Sequence, residues 1–532
     1  MKNWIYPPCI IILLTIALGC GSKKEVPVKK ELNPNLEEIE PNDSQSQSQA
    51  IADGTFLRGF IGAQKDQDWY KIPIPPDSSA ILRAELTGVT GINLKMELFD
   101  SDGAELLDIN KNKEDEGEII TNQGLSSGVY FLRIRELWLQ GRERKFNDTT
   151  AYYLHVYLSA AASDVEFESN DKAIKSSLIQ SELPVRGYIS PYKDVDWFKI
   201  LLPKSGNHYL ELQLSGLENV DLEMAVYDPI EALLLKRNNA SRGEGETILN
   251  LGINPDLDFY YISVQGGTWQ SNEDTTYQLT ATFRTYKGKM EIEPNDRMVH
   301  ASQIASGDTV RGFFDTSDDI DWYQLQCFAP HQQIARIEAF GIPKINLKLT
   351  VFNQNEEQVW SVDETGEMEN EIITNLGLKS NTNYFLKVEN IGRSINLDEQ
   401  YAIFLNVNQF SAFEEFEPNN QKDEATPINL DTSVRGYIHS VGDEDFYKLD
   451  LSNRRITGVK LTLKGMVKVN TDIALYDADL KKIAEANSRQ SEETEIISAK
   501  VTPAIYYIKV YDNDGKESNY RDQYELIVLS EQ

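Results

Sequence analysis

The chain has 532 residues, of which 40% are hydrophobic and 26% are charged, and its formal net charge is −32. This length suggests about three to five domains, and the apolar content is enough to form several cores. A charge this negative would be repelled by phosphate backbones and anionic lipid headgroups, which argues against nucleic-acid binding and favours divalent cations as partners. Three cysteines and five histidines do not supply a disulfide framework or the usual zinc sites for so many domains.

The N-terminus has the pattern of a targeting signal. Lys2 precedes an apolar run from Cys9 to Leu18, which is too short to span a bilayer as a helix. The run ends in Ala-Leu-Gly-Cys, which resembles a bacterial lipobox and implies that Cys20 is lipidated. The alternatives are a transmembrane anchor and an ordinary secretory signal. We therefore expect a lipoprotein signal peptide in residues 1–19 and a flexible polar tether in residues 20–36.

Four copies of one unit follow the tether. Each begins with a Glu-x-Glu segment at Glu38, Glu166, Glu291 or Glu415, so the starts lie 128, 125 and 124 residues apart. In every copy an Arg-Gly pair stands 18 residues after the second Glu, an Asp-x-Asp-aromatic-aromatic segment begins 24 residues after the following Asn, and another Glu stands 50 residues after the second Asp. These constant offsets predict four modules of one fold, in residues 37–160 (copy 1), 161–286 (copy 2), 287–410 (copy 3) and 411–532 (copy 4).

Inside each copy the apolar residues alternate with a period of two. In copy 2, for example, residues 209–214 follow this pattern, and turns rich in Gly, Asn and Asp separate the short runs. About eight such strands in each copy, with no long helical pattern, are typical of a sandwich of antiparallel sheets. We predict an all-β chain of four tandem jelly-roll-like antiparallel β-sandwich domains.

The acidic segments are candidates for a cation site. Side chains two residues apart share a face of an extended chain, so the two Glu and the Asn of each first segment are expected to point one way, while Ile39 points toward the core. If Asp66 and Asp68 meet this face, the converging oxygens suit calcium, which takes six to eight oxygen ligands. The alternative is that these are turn and cap residues at a solvated edge. Composition and spacing leave both interpretations open.

The combined motifs also resemble a known family. Glu-x-Glu-Pro-Asn-Asp, a later Asp-x-Asp-Trp-Tyr and a late strand with paired aromatic residues are similar to those of the bacterial pre-peptidase C-terminal domain. That domain is similar to the collagen-binding domains of secreted bacterial collagenases, so the resemblance implies jelly-roll sandwiches with structural calcium at the N-terminal segment. The implied ligands are Glu38, Glu40, Asn42, Asp43, Asp66 and Asp68 in copy 1; Glu166, Glu168, Asn170, Asp171, Asp194 and Asp196 in copy 2; Glu291, Glu293, Asn295, Asp296, Asp319 and Asp321 in copy 3; and Glu415, Glu417, Asn419, Asp443 and Asp445 in copy 4. Copy 2 departs from the pattern with Ser169 for Pro, and copy 4 with Asn420 for the last Asp, which removes one charge.

Catalysis has little support in the sequence. Residues 124–128 match the Gly-x-Ser-x-Gly nucleophile pattern, but a strand pattern continues after them and the other copies lack the serine. No metalloprotease motif, phosphate-binding loop or dinucleotide fingerprint occurs. Cys327 falls on an inward-facing strand position, which favours a buried apolar role over a reactive thiol. We therefore predict that the chain is not an enzyme.

Two other sets of residues are candidates for ligand binding. The Arg of each Arg-Gly pair and the later Glu are candidates for a ligand-reading pair, although their presence in all four copies favours structural roles. The loop before the last strand varies between copies instead, and its Trp138 in copy 1 and Trp269 in copy 2 are candidate ligand-binding residues. The alternative is that each ring packs on its own domain.

Together these patterns predict a lipid-anchored, calcium-stabilised, non-catalytic protein of the bacterial cell envelope, at the outer membrane or cell surface. Its expected partner is an extracellular protein or polysaccharide, bound for adhesion or spacing, and its membrane contact is expected through the lipid anchor only. The alternative is an accessory subunit that docks onto a separately encoded secreted peptidase or other enzyme. A glycan hydrolase of unrecognised type is a third hypothesis.

Overall fold

The structure is a computed structural model, and it describes residues 33–488 and 491–531. The predicted signal peptide, the lipidation site at Cys20 and most of the tether lie outside these residues. The chain separates into two compact units. Unit 1 consists of the described residues up to Ile120 together with Leu125–Ser159, and unit 2 consists of Thr121–Gly124 and the residues from Ala160 onward.

Residues 33–160 contain two unusually long strands, of 20 and 19 residues. The strands here are β1 (Leu36–Glu37), β2 (Gln49–Ala50), β3 (Thr55–Ile61), β4 (Gln67–Leu86), β5 (Leu94–Phe99), β6 (Glu105–Ile109), β7 (Glu118–Glu136) and β8 (Asn147–Ala160). They pair in the order β1-β3-β8-β4-β7-β5-β6, with β2 beside β4. β4 and β7 are each continuous over a segment that forms two separate strands in copies 2 to 4. The strands of copy 1 are therefore hydrogen-bonded into one sheet instead of two.

The described residues of copies 2 to 4 repeat one arrangement of nine strands. In copy 2 these are β9 (Ser177–Ile179), β10 (Val185–Ile189), β11 (Val195–Leu201), β12 (His208–Leu214), β13 (Leu222–Tyr227), β14 (Leu233–Arg237), β15 (Thr247–Gly252), β16 (Phe259–Gly266) and β17 (Asn272–Thr285). In copy 3 they are β18 (Ser302–Ala305), β19 (Thr309–Phe314), β20 (Ile320–Gln326), β21 (Gln333–Phe340), β22 (Leu347–Asn353), β23 (Gln358–Val362), β24 (Glu371–Leu378), β25 (Tyr384–Asn390) and β26 (Asn396–Gln409). In copy 4 they are β27 (Thr426–Ile428), β28 (Thr432–Ile438), β29 (Glu444–Asp450), β30 (Gly458–Lys464), β31 (Thr471–Tyr476), β32 (Lys482–Ala486), β33 (Thr494–Lys500), β34 (Ile505–Asp512) and β35 (Asn519–Glu531).

Each of these sets forms a five-stranded and a four-stranded sheet. The five-stranded orders are β14-β13-β16-β11-β9, β18-β20-β25-β22-β23 and β27-β29-β34-β31-β32, and the four-stranded orders are β10-β17-β12-β15, β19-β26-β21-β24 and β28-β35-β30-β33. Neighbouring strands are antiparallel except in the pairs β9/β11, β18/β20 and β27/β29. One-turn 3₁₀ helices at Gln45–Gln47, Ala173–Lys175, Met298–His300 and Lys422–Glu424 follow the Glu-x-Glu segments. The predicted all-β class with antiparallel sheets is confirmed.

Alternation of apolar side chains builds the cores. Along β12, for example, Leu210, Leu212 and Leu214 are buried while the residues between them are more exposed, as a strand of period two requires. The buried apolar residues form four clusters, within residues 51–156, 179–281, 304–405 and 428–528. Each cluster falls inside one predicted copy. Cys327 lies in the third cluster, and burial raises the pKa of its thiol to about 11, which agrees with the predicted apolar role.

Among the residues that the structure describes, we find no helix with the length and apolarity needed to cross a membrane.

Candidate metal centres

The first Glu of each copy is fixed by the strand that carries the Arg-Gly pair. Its backbone N–H donates to the Arg carbonyl oxygen at 2.8–3.0 Å. Its carboxylate accepts a hydrogen bond at 2.6–2.9 Å from the backbone N–H two residues after that Arg. In copy 3, for example, Glu291 bonds to Arg311 and Phe313 in this way. The backbone therefore determines where this carboxylate lies.

The second Glu and the Asn form a turn that joins the two acidic segments. The Asn backbone N–H donates to the second Glu carboxylate at 2.8–2.9 Å in every copy. The Asn carbonyl oxygen then accepts a bond at 3.0–3.3 Å from the N–H of the aromatic residue that follows Asp-x-Asp. This second bond holds the Glu-x-Glu segment against the Asp-x-Asp segment, as the cation-site hypothesis requires.

The two Asp residues are held differently. The first Asp of each copy accepts a hydrogen bond at 2.6–2.7 Å from the backbone N–H four residues before it. The second Asp accepts a bond at 2.6–2.7 Å from a buried Tyr hydroxyl on the last strand, which is Tyr152, Tyr277, Tyr401 or Tyr524. The same hydroxyl lies 3.2–3.4 Å from the first Glu carboxylate. Sequence reasoning did not select this Tyr, although the last strand of every copy contains one.

The predicted ligands come together in space. In copies 1, 2 and 3 the two Glu and the second Asp each place one oxygen within 4.8 Å of the others. In copy 2, Glu168, Asp171 and Asp194 form a second such group that shares Glu168. The acid after the Asn, which is Asp43, Asp171 or Asp296, is exposed and lies at the rim of the cluster, whereas the Asn itself is fully buried.

Burial makes these clusters electrostatically costly without a counter-ion. Burial raises the pKa of Glu291 to about 8 and that of Glu168 to about 7. In copy 4, burial and then the carboxylates of Asp443, Glu415 and Glu417 hold the pKa of Asp445 well above its usual range. A buried carboxyl group must be protonated or neutralised by a positive charge. The clusters therefore need either bound protons or a positive counter-ion.

Several oxygens of the clusters have no hydrogen-bond partner among the described residues. They are Asn42 Oδ1, Asp68 Oδ1, Asn295 Oδ1, Asp321 Oδ1, Glu417 Oε1, Asn419 Oδ1 and Asp445 Oδ1. The residues that carry them are at most 1% exposed, and a buried polar atom without a partner costs about 1–3 kcal/mol. Carboxylate and amide oxygens are the ligands that calcium prefers. These oxygens belong to copies 1, 3 and 4, and the donor sets there fit a calcium ion.

The glycine of each Arg-Gly pair is needed because the cluster lies directly against it. A Cβ atom on Gly312 would collide with the Tyr401 hydroxyl and the Glu291 carboxylate. The matching glycines Gly187 and Gly436 meet the same pair of groups in their own copies. The close approach of this strand to the first Glu explains why the position has no side chain.

In copies 1 and 2 the recurrent Arg and the later Glu contact different groups. Glu118 accepts backbone hydrogen bonds from Lys111 and Asn112, both at 3.0 Å, and the matching Glu246 accepts from the corresponding turn. Arg58 lies 3.9 Å from Glu37, and Arg186 lies 2.7 Å from Asp164. The later Glu thus holds the turn before its strand, which agrees with the favoured structural role.

The prediction that Ile39 points toward the core is wrong. Its side chain is 66% exposed. The same position in copies 3 and 4 holds Ile292 and Phe416, which are half-buried because they pack over Gly252 and Gly377 of the preceding copy. In copies 3 and 4 the apolar residue between the two Glu therefore faces the preceding copy, and in copy 1 it is exposed.

The two candidate ligand-binding Trp residues differ in their surroundings. Trp138 is 37% exposed, its Nε1 donates to the Arg142 carbonyl oxygen at 2.8 Å, and the Arg144 guanidinium lies 4.7 Å from its ring. Trp269 is 69% exposed, its ring lies 5.1 Å from the Tyr192 ring, and Lys193 Nζ lies 5.2 Å from it. Trp138 packs on its own loop, whereas Trp269 is open to solvent.

No model of a known protein family matches the chain. A collagenase of Clostridium tetani (strain Massachusetts / E88) is 21% identical over 235 residues, which cover 43% of this chain and 23% of the collagenase. The pre-peptidase C-terminal domain of a Bacillus anthracis collagenase is 21% identical, covers 21% of this chain and 99% of that domain, and gives a TM-score of 0.17. The CUB1-EGF-CUB2 region of rat MASP-1 is 9% identical, covers 43% of this chain and 100% of that region, and gives a TM-score of 0.14. TM-scores this low do not establish a shared fold.

The chain thus spans less than a quarter of the collagenase that it matches. The similarity to that enzyme agrees with the resemblance to domains of bacterial collagenases that the repeated motifs predict. The chain therefore contains sequence similar to part of a bacterial collagenase.

Proposed function

We propose that the chain is a non-catalytic binding protein of the bacterial cell envelope, built from four jelly-roll-like β-sandwich modules and anchored through Cys20. The ligand that we propose is an extracellular matrix protein of the collagen type or a polysaccharide. Similarity to a collagenase supports this class of ligand. The observation that carries the binding role is the exposed aromatic and basic surface formed by Tyr192, Lys193 and Trp269, called the Trp269 patch below.

Calcium is the structural cofactor in this proposal. The two Glu, the Asn and the two Asp of each copy would hold the ion, since their buried oxygens converge and several lack partners. Bound calcium supplies positive charge that keeps the buried carboxyl groups ionised. The sandwich is then stabilised where its N-terminal segment meets the Asp-x-Asp strand, which leaves the loops free to bind.

The Trp269 patch has the features of a contact surface. Trp and Tyr provide large rigid rings with little loss of conformational entropy on binding, and such residues contribute most at interfaces. The Trp269 side chain is 69% exposed although it belongs to one of the most apolar residue types. Lys193 Nζ lies 6.0 Å from the Tyr192 ring and 5.2 Å from the Trp269 ring, so a positive charge stands beside both. The patch therefore offers a ring face to a sugar or a proline-rich helix, with a cation beside it.

Replacing Trp269 with Ala is expected to weaken binding of the purified protein to immobilised collagen or to one member of a polysaccharide array by about 10-fold or more. Binding is measured by surface plasmon resonance with the wild-type protein as reference. The matched control is Ile230→Ala, which removes an apolar side chain that is 84% exposed in the same copy and should leave binding unchanged. Equal loss in both variants would contradict a specific role of the patch.

An accessory role is the second candidate, because the collagenase segment that matches this chain is one part of a longer enzyme. This role predicts that the purified protein captures one secreted enzyme from culture medium and shows no saturable binding to matrix proteins or glycans. Saturable binding to a matrix protein or glycan, without enzyme capture, supports the binding role instead.

A further inference from the structure

In unit 2 the second Glu of copies 3 and 4 is hydrogen-bonded to the backbone of the preceding copy. At copy 3, the Gly252 N–H donates to the Glu293 carbonyl oxygen at 2.7 Å, and the Glu293 N–H donates to the Asn250 carbonyl oxygen at 3.0 Å. At copy 4, Gly377, Glu417 and Asn375 form the same two bonds at 2.7 and 3.0 Å. Each Glu-x-Glu segment therefore lies between its own Arg-Gly strand and a strand of the copy before it.

The side chains of the same two Asn residues reach the first Glu. Asn250 Nδ2 donates to Glu291 Oε1 at 3.3 Å, and Asn375 Nδ2 donates to Glu415 Oε1 at 3.0 Å. Asn250 is 1% exposed, and its Oδ1 has no partner among the described residues. The preceding copy thus contributes a neutral amide donor beside each cluster. In copy 2 this amide also has an oxygen without a partner among the described residues.

The sequence shows where this Asn occurs. It stands four residues after the recurrent Glu, as Asn122, Asn250 and Asn375 in copies 1 to 3, and Asn122 donates to Glu166 inside unit 2. In the described part of the chain no copy follows copy 4, and the matching position there is Ala499. Within the described residues, the Asn is therefore present in each copy that another copy follows.

At each boundary between successive copies in unit 2, called a joint below, a second contact lies on the Asp-x-Asp side of the cluster. Between copies 2 and 3, Arg237 and Asp315 form an ion pair in which both side chains are at most 5% exposed, and the Asp315 N–H donates to Asp319. Between copies 3 and 4, His439 Nε2 lies at hydrogen-bond distance, 2.8 Å, from the Ile372 carbonyl oxygen, and the His439 N–H donates to Asp443. At both joints the preceding copy therefore contacts the Glu-x-Glu segment and also the residue whose N–H donates to the first Asp.

Burial of the second Glu follows from these contacts. Glu293 and Glu417 are 3% and 1% exposed. Glu40, the same residue in copy 1, is exposed, as is Ile39 beside it. Glu293 and Glu417 are thus buried against the preceding copy, where a carboxylate without a proton or a counter-ion would be costly.

We propose that the cation sites of copies 3 and 4 are composite, with Asn250 and Asn375 of the preceding copy as positioning residues for the first Glu. This inference rests on the proposed calcium binding. The amide donates to Oε1 of the first Glu without adding charge, while Oε2 lies 3.2–3.3 Å from the Tyr401 or Tyr524 hydroxyl that also donates to the second Asp. The amide therefore fixes the orientation of this carboxylate relative to the other proposed ligands. Because binding and docking share these contacts, calcium occupancy stabilises the joint, and the docked joint strengthens calcium binding by the same factor.

The test is Asn250→Ala in the purified protein, with calcium binding followed by calorimetry and the joint at residues 285–290 followed by limited proteolysis. We expect one ion to bind about 10- to 100-fold more weakly, and the joint to be cleaved at calcium concentrations that protect the wild-type protein. Ala499→Asn is the matched control, since it changes the same strand position on copy 4, and it should alter neither readout. Asn375→Gly provides a second variant, because its backbone φ of +50° suits glycine, and it should transfer both effects to residues 409–414.

The outcomes separate this inference from the proposal beneath it. A wild-type protein that binds no calcium overturns the proposed calcium sites themselves. A wild-type protein that binds several ions, together with Asn250→Ala and Asn375→Gly variants that bind and resist proteolysis equally well, overturns the composite sites alone. Weaker binding without faster cleavage of the joint would overturn the coupling to docking.

Discussion

Replacing Asp321 with Asn is expected to have opposite effects on stability in the absence and presence of calcium. Asp321 is fully buried, and burial together with the Glu291 carboxylate raises its pKa well above the usual range. Without a cation, the Asn removes an acid that folding must keep protonated, while its oxygen can still accept from the Tyr401 hydroxyl. We expect the metal-free variant at pH 8 to be about 1–2 kcal/mol more stable than the wild-type protein.

With calcium the order reverses. An ion present at about 100 times its dissociation constant adds about 2.7 kcal/mol to the stability of the state that binds it. The Asn variant loses a charged ligand in copy 3 and therefore most of this contribution from one site. In the wild-type protein we expect calcium to raise the transition that includes copy 3, and in the variant we expect that rise to be largely absent.

The difference between the metal-free proteins should also depend on pH. A carboxyl group whose pKa is raised by folding contributes stability below its unfolded pKa of about 4, and this stability is lost as the pH rises through the folded pKa. Folding raises the pKa of Asp321, the group that the variant lacks, and it raises that of the neighbouring Glu291 to about 8. The metal-free wild-type protein should therefore lose stability between about pH 4 and pH 8, and the advantage of the variant should be larger at pH 8 than at pH 5.

Scanning calorimetry in chelator and in calcium measures these effects. The control is Asp318→Asn, which makes the same change of charge at an exposed position three residues away. It should leave the calcium-dependent rise intact. A variant at Asp321 that is less stable than the wild-type protein under both conditions would show that this Asp has a purely structural role.

Replacing Gly312 with Ala is expected to destabilise copy 3 by about 1–3 kcal/mol. The added Cβ would overlap the Tyr401 hydroxyl and the Glu291 carboxylate, which lie in a fully buried site with no room to move. Relief of the overlap would separate Tyr401 from Asp321 and would also disturb the first Glu. We therefore expect weaker calcium binding at this copy as well as a lower melting temperature, measured on the same sample.

A glycine with open space around it provides the comparison. Gly366 lies in the same copy and has no positive φ. A Cβ atom at this position would have no neighbouring group within 4 Å. Gly366→Ala should change stability by less than about 0.5 kcal/mol. Equal stability of the two variants would mean that the Arg-Gly strand does not press against the cluster as the structure indicates.

The local parts of these sites could be predicted from the sequence. Two acids at i and i+2 share a face, and their constant offsets in four copies indicate that the two segments meet in one way. The structure brings Glu291, Glu293 and Asp321 together as that reasoning expects. The period-two pattern was also sufficient to predict the strands and an all-β chain.

The rest depends on contacts between distant parts of the chain. Tyr401 lies 80 residues after Asp321, and nothing in the local pattern around either residue indicates the bond between them. The error at Ile39 has a related cause, because the matching Ile292 and Phe416 pack on the preceding copy, whereas Ile39 is 66% exposed. Asn250 was missed because it is unremarkable in its own strand and acquires a role only beside Glu291, 41 residues later.

The central claim is that the buried carboxylate clusters are calcium sites, and titration calorimetry of the chelator-treated protein with calcium tests it most directly. We expect several ions to bind and the melting temperature to rise with calcium. We also expect the heat to be lost when Asp321 and its counterparts in the other copies are replaced by Asn. Absence of binding heat together with an unchanged melting temperature would contradict the account, and the Glu-x-Glu and Asp-x-Asp segments would then be turns and edges only.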